Sequence, residues 1–177
     1  MEKVVLRRAT TSDKKYVNSL VEMINKVYLK SEGDIWIEGH NRISQERLTE
    51  VIQNKELLIA IHQNKICGCI HLEKMDQNHY KFKMLVTNPK FKGKGLGSLL
   101  VNFAEQQVKE LGASTMQLEL LVPTEFEHPD KVFLTNWYTR IGYEKVGEHD
   151  VDYVHQGISQ FLKTPCKAVV YQKKIIS

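Results

Sequence analysis

The sequence predicts one α/β domain, of the α+β kind, built around a mixed sheet. Apolar residues follow strand periodicity in some segments and helical spacing in others, in the order β-α-α-β-β-β-α-β-α-β-β. Residues 116–122 are apolar almost without interruption, which is typical of a central strand that is buried on both faces. The length of 177 residues is that of about one domain at a prior of ~150 residues each, so we expect residues 1–177 to form one unit.

Two helices and four strands are predicted before residue 88. The first helix has apolar residues at helical spacing, namely Val17, Leu20, Val21, Ile24, Val27 and Tyr28. This period breaks over 31–43, which predicts a loop, and Ser44 is a suitable N-cap for the second helix. The remaining predictions for this half are a strand at 4–9, a first helix capped by Thr11 or Ser12, a hairpin of 57–62 and 66–73, and a strand at 80–87.

The second half alternates strands with amphipathic helices. A long helix over 96–111 is predicted to end at Gly112, a residue that tolerates the left-handed conformation required just beyond a helix. After the central strand, the predicted elements are a helix at 130–141, a short strand at 143–146 and a last strand at 168–176. Residues 147–166 show no clear period, so no element is predicted there.

Several classes of protein are disfavoured by composition. No apolar run approaches the ~18 residues of a membrane span, and the short stretch 4–6 is no signal-peptide core, so we expect a cytoplasmic protein. Three cysteines are an odd, small number for a disulfide framework. Cys67, Cys69 and His71 alternate along one predicted strand face, where we expect small packed thiols and no metal.

Charge is distributed unevenly along the chain. The net charge is +4, yet residues 77–104 contain five lysines and no acid, whereas 110–130 contain five acids and no lysine or arginine. One interpretation is a site with a basic half for an anion and an acidic half for a cation. The alternative is that both segments are ordinary solvated surface.

A glycine-rich loop joins the strand at 80–87 to the long helix. Gly93, Gly95 and Gly97 alternate there, and three lysines stand close by. Unpaired amides at a helix N-terminus bind anions, and glycines let the backbone wrap closely around one, so the loop suits a phosphate or pyrophosphate. The Walker A pattern, two glycines five apart followed by Lys-Ser/Thr, is absent. The pattern G-x-G-x-x-G also fails, because Ser98 and Leu100 stand at its last glycine position. The alternative is a turn needed only to enter the helix.

Two segments together resemble the GNAT superfamily of N-acetyltransferases. Residues 85–97 (LVTNPKFKGKGLG) are similar to its acetyl-CoA loop, and 137–143 (WYTRIGY) to the segment that ends its next helix. The order of elements is also similar over nearly the whole chain. Lys92 departs from the usual Arg or Gln, Thr87 departs from the usual Val, and Lys131 stands where many members have Asn, with Asn136 nearby.

The resemblance implies a mixed, mostly antiparallel sheet that splays at its two central strands, flanked by about four helices. It implies direct transfer of acetyl from acetyl-CoA, with no metal, to a primary amine on a small molecule or peptide. Tyr138 would protonate the leaving thiolate and Glu119 would act as base, with Glu73 and His71 as alternatives. The residues expected to bind acetyl-CoA are Leu85, Val86, Thr87, Lys92, Gly93, Lys94, Gly95, Leu96, Gly97, Ser98 and Asn136.

The acceptor would lie at the loop over 31–43, where Glu32, Asp34 and His40 are candidates for contact. The acidic run at 110–130 favours a cationic acceptor. A non-catalytic acyl-CoA sensor on the same scaffold is the main alternative. A nucleic-acid binder using the lysine segment is less favoured, because the run is short and the pI of 8.8 is only moderately basic. Membrane binding is not expected, and assembly as a homodimer stays open.

Overall fold

Seven strands form one twisted sheet in the computed structural model, which describes residues 3–175. The strand order is β1-β2-β3-β4-β5-β7-β6, and neighbouring strands are antiparallel except β4 and β5, which are parallel. The predicted mixed sheet is therefore confirmed. The strands are Val5–Arg8 (β1), Leu57–His62 (β2), Lys65–Lys74 (β3), His79–Thr87 (β4), Thr115–Pro123 (β5), Glu144–Asp150 (β6) and Cys166–Lys174 (β7).

Helices cover both faces of the sheet and divide the core into two clusters. One cluster packs the apolar side of the long third helix, including Leu100 and Val108, on the sheet, and the other packs the first two helices on the opposite face. Such a two-sided cover buries the inner strands on both faces. The helices are Val17–Glu32 (α1), Gln45–Gln53 (α2), Leu96–Glu110 (α3), Pro129–Arg140 (α4) and the single turn Val151–Val154 (α5).

The cap of the first helical segment differs from the prediction. A 3-10 turn over Thr11–Tyr16 precedes α1, and its N-cap is Thr10 instead of Thr11 or Ser12. Asp13 accepts a hydrogen bond from the Thr10 amide at 2.7 Å and two from the Arg7 guanidinium at 2.8 and 2.9 Å. Thr10 and Asp13 thus form a capping box that β1 holds in place. The caps predicted at Ser44 and Gly112 are confirmed.

The two central strands stay together at one end only. β4 and β5 pair at His79–Lys81 with Thr115–Gln117 and then diverge, while β5 pairs with β7 along its whole length. Met84 in β4 has a φ of +54°, a left-handed value that is rare outside glycine, and the β3–β4 register shifts nearby. This irregularity turns β4 away from β5 and opens a cleft in the sheet.

A second bulge contradicts the prediction that Cys67 and Cys69 share a face. The β2–β3 register slips between Gly68 and Ile66, so Cys67 is the extra residue. Cys67 consequently joins the α3 cluster, and Cys69 joins the cluster under α1 and α2. At Gly68, an added Cβ would lie 3.0 Å from both the Leu100 side chain and the Val86 carbonyl oxygen, so α3 rests directly on the sheet there.

Residues 147–166 complete one wall of the cleft. β6 runs through Asp150, beyond its predicted end, and the chain then forms α5 and a 3-10 turn at Ile158–Phe161. This segment packs on the loop between α1 and α2, with the Ile37 amide donating to the Phe161 carbonyl at 2.9 Å. The last strand ends at Lys174, and residue 176 of its prediction lies outside the described residues.

Among residues 3–175, no helix has the length and apolar character needed to cross a bilayer.

Candidate active site

The glycine-rich loop is folded as an open turn. Asn88 accepts a hydrogen bond from the Lys90 amide at 3.0 Å, which starts a 3-10 turn at Pro89–Phe91. Gly93 and Gly95 have φ values of +75° and +76°, and a Cβ added at either would meet nothing within 4 Å. The glycines are therefore required by backbone conformation, and the space above them is open.

Not every predicted amide of this loop faces outward. The amides of Lys92 and Lys94 donate to the carbonyls of Pro89 and Phe91, each at 3.0 Å. The first bond inside α3 runs from the Leu99 amide to the Gly95 carbonyl at 3.0 Å. The helix therefore leaves the amides of Leu96, Gly97 and Ser98 at its N-terminus unused, where the helix dipole adds positive charge.

Exposed lysines and a buried leucine surround the N-terminus of α3. Lys90, Lys92 and Lys94 are exposed, whereas the Leu96 side chain is buried in the core, so only its backbone can contact a ligand. A Cβ on Gly97 would lie 3.6 Å from the Trp137 ring. The two segments that carry the family resemblance thus meet in space.

The cleft between β4 and β5 contains a cavity of about 520 Å³. Its walls are 81–85 of β4, 118–121 of β5, and parts of α1, the α1–α2 loop, α4 and α5. Leu85 lies on the wall. Val86 instead packs into the core under α1 and α2, so it offers the site its backbone only, and Thr87 is half-buried at the end of β4, where it pairs with Gly68 of β3.

Tyr138 of α4 lies on this wall with its ring buried. It packs against Phe82 and Trp137, with ring centroids 5.8 and 4.8 Å away. Burial raises the pKa of Tyr138 well above its ordinary value, so the hydroxyl is protonated at neutral pH. No group in residues 3–175 forms a hydrogen bond with this hydroxyl, which leaves it able to donate a proton to a ligand.

Glu119 of β5 also faces the cavity, and its carboxylate lies between a lysine and a histidine. Its carboxylate lies 3.5 Å from Lys81 Nζ and 3.2 Å from His155 Nε2, and it accepts a hydrogen bond from Gln117 at 3.2 Å. Burial would raise the pKa of Glu119, but the hydrogen bond from His155 and the positive charge of Lys81 outweigh it and lower the pKa. Glu119 is therefore ionised at neutral pH.

The other predicted bases lie elsewhere. His71 is buried and lies 3.0 Å from Glu56, and Glu73 lies 3.0 Å from Lys83 on the neighbouring strand. Neither lines the cavity. Burial lowers the pKa of His71, and this outweighs its hydrogen bond to Glu56, so the imidazole is neutral at pH 7.

His155 is a candidate that the sequence analysis missed. It follows α5, in the segment without periodicity, and its ring reaches the cavity wall beside Glu119. Its side chain is 45% exposed, so a proton on the imidazole can pass to solvent. The only signal in the sequence was its residue type, because no element was predicted for residues 147–166.

The helix that carries Tyr138 contains a buried ion pair. Lys131, at the position where family members often have Asn, is paired with Glu32 of α1. Glu32 also accepts a hydrogen bond from Trp36 Nε1 at 2.8 Å, and both acid and lysine line the cavity. Asn136 is exposed on α4 and away from this wall.

The acidic run is divided by the fold. Of its five members, Glu119 and Asp130 line the cavity, whereas Glu110 ends α3 and the other two are exposed in the β5–α4 loop. Of the acceptor candidates predicted at 31–43, Glu32 at the end of α1 and His40 in the α1–α2 loop reach the wall, and Asp34 lies 3.0 Å from His128. Within the described residues, no group of three His, Cys, Asp or Glu side chains is close enough to hold a metal ion.

Comparison with known proteins gives one family and many structures. The sequence profile described as Acetyltransferase (GNAT) family matches residues 21–128. A search of curated proteins found no significant match.

Three solved structures illustrate the likeness in fold. An aminoglycoside 6'-N-acetyltransferase with coenzyme A has 18% identity, a TM-score of 0.71, and coverage of 98% of both chains. PaiA N-acetyltransferase of Thermoplasma acidophilum, also with coenzyme A, has 18% identity and a TM-score of 0.71, over 97% of this chain and 99% of that one. YncA of Salmonella typhimurium, solved with acetyl-CoA, has 12% identity and a TM-score of 0.72, over 99% of this chain and 96% of that one. At these identities the likeness concerns the fold.

Proposed function

This chain belongs to the GNAT acetyltransferase family, and we propose that it transfers an acetyl group from acetyl-CoA directly to a primary amine. The observation that supports this most is the placement of Tyr138 and Glu119 on one cavity, in a cleft of the sheet. A protonated phenol and an ionised carboxylate provide the acid and the charge that aminolysis of a thioester requires.

Acetyl-CoA fits the groups that surround the cleft. The unused amides of Leu96, Gly97 and Ser98 and the left-handed glycines form a cradle for the pyrophosphate, and Lys92 and Lys94 add charge from its rim. Beyond the pairing at 79–81, the edges of β4 and β5 that face each other have no strand partner, so their backbone groups are available to the pantetheine and the acetyl carbonyl. We include the backbone of Leu85, Val86 and Thr87 in this contact, with Asn136 as a peripheral one.

The proton balance assigns separate roles to the two sides of the cavity. The acceptor arrives as an ammonium and loses one proton before its nitrogen attacks the acetyl carbon. The new C–N bond forms as the C–S bond breaks, and Tyr138 donates its proton to the departing sulfur. The nitrogen then releases its second proton, which restores the phenol.

We assign removal of the first proton to Glu119 and His155 acting together. The lowered pKa of Glu119 makes the carboxylate a weak base but a good hydrogen-bond acceptor for an ammonium. His155 Nε2, 3.2 Å from that carboxylate, provides an imidazole next to solvent. Glu119 therefore positions the amine and the imidazole, and His155 carries the proton away.

The acceptor is an amine that is cationic when it enters. Glu119 and Asp130 provide negative charge at the wall, and the open cleft admits either a small molecule or the end of a peptide.

The test is thiol release from acetyl-CoA in the presence of a library of primary amines. Tyr138→Phe should lower kcat about a hundredfold and leave the KM for acetyl-CoA unchanged, because the ring still packs. Tyr153→Phe is the matched control, since Tyr153 is 79% exposed and lies outside the cavity. Tight binding of acetyl-CoA with no turnover on any amine would favour the sensor alternative, and equal kcat for both variants would remove Tyr138 from the mechanism.

A further inference from the structure

The cavity wall contains one permanent cation without an acidic partner. Three lysines on the wall are each in an ion pair, whereas Arg42, in the α1–α2 loop, forms none with any carboxylate in residues 3–175. The lysine pairs are Lys81 with Glu119 at 3.5 Å, Lys83 with Glu73 at 3.0 Å, and Lys131 with Glu32.

The surroundings of Arg42 leave its charge unbalanced. Its guanidinium lies 5.1 Å from the centre of the Tyr28 ring and is only partly exposed. Glu32, an acid on the same wall, is already held by Lys131 and by the Trp36 indole. Arg42 also forms a hydrogen bond with Tyr28, which leaves its charge without an acidic counterpart. A half-buried cation of this kind favours an anionic ligand.

His40, a neighbour of Arg42 on this wall, adds no positive charge to the position. His40, on the same wall, stacks on Trp36 with ring centroids 4.3 Å apart. Burial lowers the pKa of His40, and the charge of Arg42 lowers it further, so the imidazole is neutral at pH 7. Arg42 also borders an adjoining pocket of about 270 Å³, which extends the space for a ligand beyond the main cavity.

We propose that the acceptor carries a carboxylate, which Arg42 binds while the amine of the same molecule faces Glu119. This inference rests on the proposed function and adds a substrate class, namely an amino acid or a short peptide with a free C-terminus. A guanidinium offers two parallel donors that match a carboxylate. One unpaired positive charge balances one carboxylate, whereas a phosphate dianion would need more.

The experiment compares acceptors that differ only in this charge. The twenty common L-amino acids and a tri-alanine peptide are each assayed beside their C-terminal amides, by thiol release and by calorimetric binding to protein loaded with coenzyme A. The variants are Arg42→Gln, which removes the charge, and Arg42→Lys, which keeps the charge but lacks the two parallel donors of the guanidinium. Arg47→Gln is the control, because Arg47 is exposed on α2 and away from the cavity.

We expect the wild-type protein to prefer at least one free carboxylate over its amide. Arg42→Gln should raise the KM or Kd of that acceptor about ten- to a hundredfold, the value of a charge-assisted hydrogen bond. The amide and acetyl-CoA should change less than twofold, and Arg42→Lys should be intermediate. Preference for tri-alanine would indicate a peptide, and preference for one amino acid a metabolite.

Three results would overturn the proposal. The first is a wild-type preference for the amides, or binding of no carboxylate at all. The second is an equal loss for both members of a pair in Arg42→Gln. The third is a rise in the KM for acetyl-CoA alone, which would assign Arg42 to the cofactor. Thiol release with any amine supports the proposed function whichever result is obtained, so the two failures are distinguishable.

Discussion

Asp13 connects β1 to the segment that starts α1, and its replacement by Asn tests how much that connection stabilises the fold. The carboxylate is 3% exposed, accepts two hydrogen bonds from Arg7, and accepts one from the Thr10 amide. The side-chain hydrogen bond from Arg7 is the main reason that the pKa of Asp13 falls from 3.8 to about 2. At 1.36 kcal/mol per pKa unit this corresponds to about 2 kcal/mol.

Arg7 is 39% exposed, so solvent screens part of this interaction, and we expect a loss of about 1–2 kcal/mol for Asp13→Asn at pH 7. Because the folded-state pKa is the lower one, the stabilisation is present above pH 3.8 and disappears as the pH falls through about 2. Free energies of unfolding from urea titrations between pH 7 and pH 2 should therefore converge for the two proteins.

Asp76→Asn is the control, since Asp76 is exposed and accepts only the Asn78 amide at 2.8 Å. A difference in unfolding free energy that stayed constant down to pH 2 would mean that Asp13 acts through packing and hydrogen bonding alone. Equal stability at pH 7 would refute the reasoning altogether.

Further substitutions examine the glycine-rich loop, the buried ion pair and the proposed role of His155. Gly95→Ala should cost about 1–2 kcal/mol of stability and raise the KM for acetyl-CoA, whereas Gly112→Ala, at a similar φ, should cost the same with KM unchanged. Lys131→Met should lower the free energy of unfolding by about 3–5 kcal/mol in urea titrations, because its acidic partner stays buried without a counter-charge. His155→Ala should lower kcat at least about tenfold, and added imidazole should restore part of that activity. His149→Ala is the control, because His149 is exposed and does not line the cavity, and its kcat should be unchanged with or without imidazole.

Local chemistry explains the features that could be predicted from sequence. Alternating glycines before an amphipathic helix limit the backbone to few conformations, and Gly93 and Gly95 adopt left-handed φ as that pattern indicates. The positions of most strands and helices along the chain follow from hydrophobic periodicity, whereas the order of the strands within the sheet does not. The meeting of the two family segments, with Trp137 against Gly97, required the resemblance as well.

The features that could not be predicted depend on tertiary packing. An extra residue in β3 moves Cys67 to the opposite side from Cys69, and no local signal in the sequence marks that bulge. His155 and Arg42 reach the cavity from two different loops. The conformation of each loop depends on hydrogen bonds between the α1–α2 loop and the segment that follows α5, which are distant in sequence. The division of the acidic run has the same origin, since its members belong to a helix, a strand and a loop.

Gly68 has a consequence for the position of α3. A methyl group at this residue would lie only 3.0 Å from the Leu100 side chain and from the Val86 carbonyl oxygen of β4, so these neighbours would have to move by a few tenths of an ångström. The same helix carries the open amides at its N-terminus, and the strand beneath leads into the loop around them. The absence of a side chain at Gly68 is therefore one determinant of how closely α3, with its N-terminal amides, lies on the sheet beside the cleft between β4 and β5.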